Sequence, residues 1–216
     1  MEWYFEEAKI NTFNALRKVS HIFQGSKGNM KIRKYGEMNG MVSNASDGAV
    51  LASAGPDLYQ SGRLRDTLVN RFRKMLDFEI LRYEGNELGK GDLKRHLLEN
   101  SLFAKGKLIM ISNAHRLGKA AASELFDAIE KGISDSAIFL QSEKVPRESA
   151  ILRRLEKAVP FYICYEPFDR DMPAWVQRLA SEEGIRLTRD SVQLLAEYSG
   201  RNLRRLSGAV SKLALY

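Results

Sequence analysis

The stretch Leu97-Leu98-Glu99-Asn100-Ser101-Leu102-Phe103-Ala104, followed by Lys107-Leu108-Ile109-Met110-Ile111, sets the reading of this chain. It predicts a helix whose last turn carries a Leu-Phe pair, a short loop and then a buried strand. Two large apolar residues at such a junction fill either their own core or a pocket on another protein. That choice bears directly on function.

The pattern of Leu108 to Ile111 recurs on both sides. Apolar runs of strand length stand at Ala49-Val50-Leu51-Ala52, Phe78-Glu79-Ile80-Leu81, Ala137-Ile138-Phe139-Leu140 and Phe161 to Tyr165. Segments with helical spacing lie between them. Leu64, Leu68, Phe72 and Met75 share one face, as do Leu93, Leu97 and Leu98; Leu125, Phe126 and Ile129 mark a third helix, and Ile151, Leu152 and Leu155 a fourth. Strands alternating with helices predict an α/β fold with a parallel sheet flanked by helices over residues 48–167. Near-continuous apolar strands suit a sheet buried on both faces.

Beyond Pro167 no strand pattern remains. Three helices are expected: Asp171 to Glu183, with Asp171 as N-cap and Pro173 in the first turn; Thr188 to Tyr198, capped by Thr188 and stopped near Gly200; and Asn202 to Leu215. They form a small three-helix bundle over 168–216. Residues 1–47 read as an N-terminal extension: an amphipathic segment from Trp3 to Phe23, then weakly periodic sequence rich in Gly, Asn, Ser and Met.

Composition narrows the function classes. Of 216 residues, 44% are hydrophobic and 28% charged, ordinary for a soluble globular protein. No apolar run approaches the ~18 residues of a membrane span, and the acidic start Glu2-Trp3-Tyr4-Phe5-Glu6-Glu7 lacks the basic region of a signal peptide. A cytoplasmic location is expected. Cys164 is the single cysteine, which excludes an internal disulfide and a multi-cysteine zinc site; in Phe161-Tyr162-Ile163-Cys164-Tyr165 it reads as a core residue. The net charge of +7 divides as +2, +3 and +2 over residues 1–47, 48–167 and 168–216. So even a spread permits weak phosphate contact, whereas a dedicated nucleic-acid module concentrates its charge.

An α/β domain followed by a helical bundle is the layout of nucleotide-hydrolysing modules, so a phosphate loop G-x-x-x-x-G-K-[ST] is the motif to look for. Its place here holds Ala54-Gly55-Pro56-Asp57-Leu58-Tyr59-Gln60-Ser61, with one Gly, no Lys and a Pro that removes a donor. A near-match, Gly85-Asn86-Glu87-Leu88-Gly89-Lys90-Gly91-Asp92, is one residue short and reads as turns before a helix. After Leu108 to Ile111, where a magnesium-holding carboxylate belongs, stands Ser112-Asn113-Ala114-His115. Nucleotide hydrolysis is not expected, and no cofactor or metal is implied. His21, His96 and His115 have no partner at metal-ligand spacing. Asp169-Arg170-Asp171 reads as a linker and helix cap. Arg201, Arg204 and Arg205 open the last helix, where they could meet phosphates or a partner's carboxylates; Arg153-Arg154 is a similar pair, and a solvated face is the alternative for both.

These residues resemble the delta subunit of the bacterial DNA polymerase III clamp loader. The likeness rests on Val50-Leu51-Ala52-Ser53-Ala54-Gly55-Pro56-Asp57, on Ser101-Leu102-Phe103-Ala104 with Leu108-Ile109-Met110-Ile111-Ser112-Asn113-Ala114, on Ala137 to Gln141, and on Gly200-Arg201-Asn202-Leu203-Arg204-Arg205-Leu206 through Lys212-Leu213-Ala214-Leu215-Tyr216. It covers about residues 48–216. It implies an AAA+-like domain without a working phosphate loop, followed by a helical lid domain. It also implies a non-catalytic role within a polymerase holoenzyme, with Leu102 and Phe103, flanked by Ser101 and Ala104, wedging into a hydrophobic pocket of the beta sliding clamp so that the ring opens for loading onto primed DNA. The implied partners are the clamp and the sibling loader subunits, gamma/tau and delta prime, with DNA met only weakly or indirectly. The family's C-terminal collar domain has no counterpart in this sequence, which puts assembly into the pentameric loader in question, and residues 1–47 are not part of the family pattern. The alternatives are an ATP-binding AAA+ ATPase with a degenerate loop and a DNA-binding adaptor using Arg201, Arg204 and Arg205.

Overall fold

The computed structural model describes residues 31–75, 78–99, 104 and 106–215. Among these residues six strands form one sheet: β1 (Lys31–Ile32), β2 (Val50–Ala54), β3 (Phe78–Glu84), β4 (Gly106–Ser112), β5 (Ser136–Ser142) and β6 (Phe161–Ile163). The order is β1-β6-β2-β5-β4-β3 and every pairing is parallel. Its helices are α1 (Tyr35–Ser43), α2 (Leu58–Arg73), α3 (Asp92–Leu98), α4 (Lys119–Lys131) and α5 (Ala150–Ala158). Then come α6 (Met172–Glu182), α7 (Arg189–Ser199) and α8 (Leu203–Leu213), the expected three-helix bundle.

The strands are apolar at consecutive positions because each feeds two cores. Leu108, Met110 and Phe139 enter one cluster; Ile109, Ile111, Ile138 and Leu140 enter the other. Period-two alternation of side chains thus divides an all-apolar strand between the sheet's faces. The second face is covered by α3, α4 and α5 through Leu93, Leu125, Phe126, Leu152 and Leu155. The first is covered by α1, α2 and, in the same cluster, the bundle's Trp175, Val176, Leu179, Leu206 and Val210. Gly106 opens β4 because Phe78 lies on it: a Cβ there would meet the Phe78 ring at 2.6 Å and the Asp135 carbonyl at 2.6 Å.

Three expectations are corrected. Residues 31–47 belong to the α/β body: β1 pairs with β6, and Met38 and Val42 are fully buried with Ile32, Tyr35 and Ala45 nearly so. Tyr35, Met38 and Val42 fall at i, i+3 and i+7, one face of a helix too short and too rich in glycine to stand out. Asp171 sits at the N-cap position of α6 but in αR geometry, with no bond to that helix; its carboxylate instead accepts the Phe168 N–H at 3.4 Å. Finally, α3 ends at Leu98 with Glu99 already extended, so its last turn does not carry Leu102-Phe103. Thr188 does cap α7, accepting from Ser191 N, and Asn202, not foreseen as a cap, does the same for α8 through Arg205 N.

Candidate functional site

Two places matter, at opposite edges of the sheet. The C-terminal ends of parallel strands are where open α/β sheets bind ligands. There, β2 passes to α2 through only Gly55-Pro56-Asp57. Gly55 has φ +132°, and a Cβ on it would lie 2.6 Å from the Cys164 carbonyl oxygen. The turn is pinned further by Gly55 N–H donating to Ser142 O (2.9 Å) and Asp57 N–H donating to Cys164 O (3.0 Å). Asp57 then fills the helix N-terminus itself. Its Oδ1 accepts from the backbone N–H groups of Tyr59 (2.9 Å) and Gln60 (3.0 Å), and its Oδ2 from Gln60 Nε2 (3.0 Å).

Gln60, 2% exposed, is held in turn by Tyr165 O, which accepts from Nε2 at 2.7 Å, and by the Tyr162 hydroxyl, which donates to Oε1. Burial, with Cys164 and Asp57 nearby, raises the Tyr162 phenol well above its usual range, so it stays a donor. Burial likewise raises the Cys164 thiol and keeps it protonated, the inert core residue expected. A helix N-terminus attracts anions because its first N–H groups are unpaired. Here the chain's own carboxylate takes those donors and its charge opposes a phosphate. Asp57→Ala is expected to cost about 1–3 kcal/mol through the lost cap and the stranded Gln60 amide, measured by urea denaturation.

The neighbouring positions are also committed to structure. Asn113 donates to Glu84 (2.8 Å), and His115 Nδ1 lies 2.9 Å from Ser142 Oγ, which accepts from Lys144 N–H. Burial holds the His115 imidazole below its usual pKa. Gln141 Nε2 donates to Ser61 Oγ and O at 2.7 and 2.9 Å. Gly85 to Gly91 forms the turns before α3, with Gly89 N–H donating to the Asp92 carboxylate at 2.7 Å. Among the described residues no group of three or more His, Cys, Asp or Glu could hold a metal ion.

The second place is the entry to β4, at the sheet's opposite, N-terminal edge. Ser101, Leu102 and Phe103 lie outside the described residues; Ala104 is half-buried. What leads into them is tightly defined. The N-terminus of α3 is held by Glu124 of α4, whose carboxylate accepts from Gly91 N–H (2.6 Å) and Lys94 N–H (3.4 Å). Its C-terminus is held by Lys107 of β4, 7% exposed, whose Nζ donates to the carbonyls of His96 (2.9 Å) and Glu99 (2.6 Å). A cation on the last carbonyls of a helix satisfies orphan acceptors and the dipole together. Beside it His96 stacks on Tyr83, with ring centroids 4.7 Å apart; burial first, then Arg95 and Lys107, lower its pKa. Leu98, 69% exposed, projects just before the Leu-Phe pair. Lys107→Met leaves both carbonyls unpaired and is expected to destabilise the fold by about 1–3 kcal/mol, read as a lowered urea midpoint.

The basic residues do not form one cluster. Arg201 is bound to Asp169 by two bonds of 3.0 and 2.8 Å, pinning the start of α8 to the turn before α6. Arg205 lies over the Tyr198 ring at 4.1 Å, and Arg204 is exposed. Arg154 covers Phe126 at 3.8 Å; Arg153 is exposed. His21 lies outside the described residues. Sequence reasoning missed the Asp57-Gln60-Tyr162 network and the role of Lys107. Asp57 directly before a helical run was the one local signal, as an N-cap residue.

No family model matches the chain, and no curated protein is similar to it at a significant level. Solved structures are similar. The Bacillus subtilis DNA clamp loader delta protein superposes with a TM-score of 0.62 at 12% identity, over 84% of this chain and 57% of that one. Domain III of the Thermotoga maritima replication initiation protein DnaA gives 0.52 at 18% identity, over 84% and 82%. The Thermotoga maritima RuvB Holliday junction branch migration motor gives 0.50 at 19%, over 83% and 60%. This chain thus spans less than two thirds of the clamp loader and RuvB chains. At these identities the likeness establishes an AAA+-like α/β fold. No helix among the described residues is long and apolar enough to cross a membrane.

Proposed function

We propose that this chain is a delta-type clamp-loader subunit that grips and opens a beta sliding clamp, and that sibling subunits supply the ATP hydrolysis. The observation that carries the reading is the carboxylate of Asp57 on the N-terminus of α2, where an AAA+-like protein would receive phosphates. An AAA+-like body with that position occupied by its own side chain is suited to mechanical work, not to hydrolysis. The likeness of fold to a clamp loader delta protein supports the same reading. Leu102 and Phe103, flanked by Ser101 and Ala104, are the proposed wedge. They follow a helix fixed at both ends, which would give the pair a rigid base. The residues on either side of them, Glu99 and Gly106, lie at the edge of the sheet opposite the start of α2, which would leave the C-terminal edge to loader partners such as gamma/tau and delta prime.

An ATP-binding role would need Asp57 to release two backbone donors. A DNA adaptor built on Arg201, Arg204 and Arg205 is disfavoured because Asp169 takes the first of them. The direct test is capture of this chain by the cognate clamp, compared with Leu102→Ala/Phe103→Ala. Equilibrium binding of labelled ATP with magnesium should show no saturable uptake, in the wild type and in Asp57→Ala alike. Tight uptake by the wild type would favour the ATPase alternative.

A further inference from the structure

The outer face of the bundle carries a groove that the proposed clamp contact does not use. It runs between α7 and α8, with a volume of about 490 Å³. Leu195, Tyr198, Ala209 and Leu213 make its apolar surface; Tyr198 and Leu213 are 58% and 46% exposed. Gly208 lies in the middle of α8, where glycine costs about 1 kcal/mol relative to alanine. Nothing lies within 4 Å of the Cβ it lacks, so its absence relieves no contact within the chain. It lowers the groove wall instead, giving a neighbouring backbone room to come close.

The charge on this surface is one-sided. Arg204, Arg205 and Lys212 line the groove and no acidic residue does. None of the three takes part in an ion pair among the described residues. A second copy of this face would set like charges against one another, which disfavours a symmetric dimer through it. A nucleic-acid strand would meet the cations but would leave Leu195, Ala209 and Leu213 against a charged backbone. A groove between two packed helices presents ridges that fit a third helix. Arg204 and Arg205 precede Lys212 by seven or eight residues, about 11–12 Å along α8 at the helical rise.

We propose that this groove docks an acidic amphipathic helix of a partner protein, with carboxylates about two turns apart and an apolar ridge between them. The apolar ridge lies on Ala209 and Leu213 over the opening at Gly208. One carboxylate meets Arg204 and Arg205, and the other meets Lys212. The inference rests on the bundle alone and stands independently of clamp binding.

The test uses the full chain and two synthetic alanine-based helical peptides. One carries Glu at positions i and i+7 with Leu at i+3 and i+4; the other replaces both Glu by Lys. Fluorescence anisotropy should show saturable binding of the Glu peptide, weakened by salt, and at least tenfold weaker binding of the Lys peptide. Gly208→Trp, which fills the groove, should reduce Glu-peptide affinity at least tenfold. Lys212→Glu, an exposed change away from the core, should do the same while narrowing the gap to the Lys peptide. Equal binding of the two peptides, or Glu-peptide binding indifferent to Lys212→Glu, overturns the proposal. So does dimerisation of the chain that Gly208→Trp abolishes, which would make the face a contact between copies. Oligonucleotide binding lost in Lys212→Glu, with no peptide binding, overturns it as well.

Discussion

Replacing Leu102 and Phe103 together by alanine is expected to weaken clamp binding about a hundredfold or more and to leave the thermal unfolding of the chain almost unchanged. The first half follows from the energetics of apolar anchors. A side chain filling a desolvated pocket contributes ~2 kcal/mol or more, and each 1.4 kcal/mol is a factor of ten in affinity. The second half follows from the core. The face of the sheet beside α3 is closed by Leu93, Ile109, Ile111 and Leu125, all fully buried, with Leu97 packed against them. Surface plasmon resonance on the cognate clamp, with a circular dichroism melt of the same sample, reads both. A double variant that binds like the wild type would sink the assignment. One that loses its cooperative melt would return the pair to the core.

Strands β2 to β6 and most helices were legible because burial on both faces leaves no alternative pattern. An all-apolar run such as Leu108 to Ile111 must feed two cores, and two cores need helices on both sides. The middle helix of the bundle was legible through its cap at Thr188 and its stop at Gly200. What was illegible depends on distance along the chain. The Asp57-Gln60-Tyr162 network joins residues more than a hundred positions apart, and no local pattern announces such a pairing. Lys107 stands near the start of an apolar strand, where a charged residue reads as the solvent-facing end. Its burial makes sense only once α3 ends above it and offers two bare carbonyls. The end of α3 was missed for a related reason: the run from Leu97 to Ala104 keeps helical composition past the point where tertiary contacts stop the helix. Gly36 misled in the opposite sense. It weakens α1 as a sequence signal, yet a Cβ there would approach the Arg178 guanidinium at 3.2 Å, and Arg178 lies over Tyr35 and Trp175.

That stack makes the N-terminal boundary the most consequential for stability. A chain begun at Gly48, where the regular strand-helix pattern starts, is expected not to fold cooperatively, whereas a chain begun at Lys31 is expected to fold. The first loses β1, leaving β6 as an open edge beside Ile163, and loses Ile32, Tyr35, Met38, Val42 and Ala45 from the core. Fully burying a Val or Met side chain stabilises by about 1.5–3 kcal/mol. The four larger residues together therefore approach the whole ~5–15 kcal/mol that keeps a domain folded, even after discounting for a compact unfolded state. The loss falls where the two parts of the molecule meet. Tyr35 packs on Trp175 of α6 at 4.8 Å and on Tyr162 of β6 at 6.1 Å, so removing α1 uncovers the bundle and the sheet together. The Arg63–Glu182 pair, half-exposed between α2 and α6, is too weak by itself to hold the bundle in place. Near-UV circular dichroism and urea titration of the two truncations separate the outcomes. A chain from Gly48 that melts cooperatively at the same midpoint as the chain from Lys31 would show that α1 is an ornament on a body already complete. In the full chain, Met38→Ala should by itself cost about 2–5 kcal/mol by leaving a cavity between α1, the sheet and the bundle.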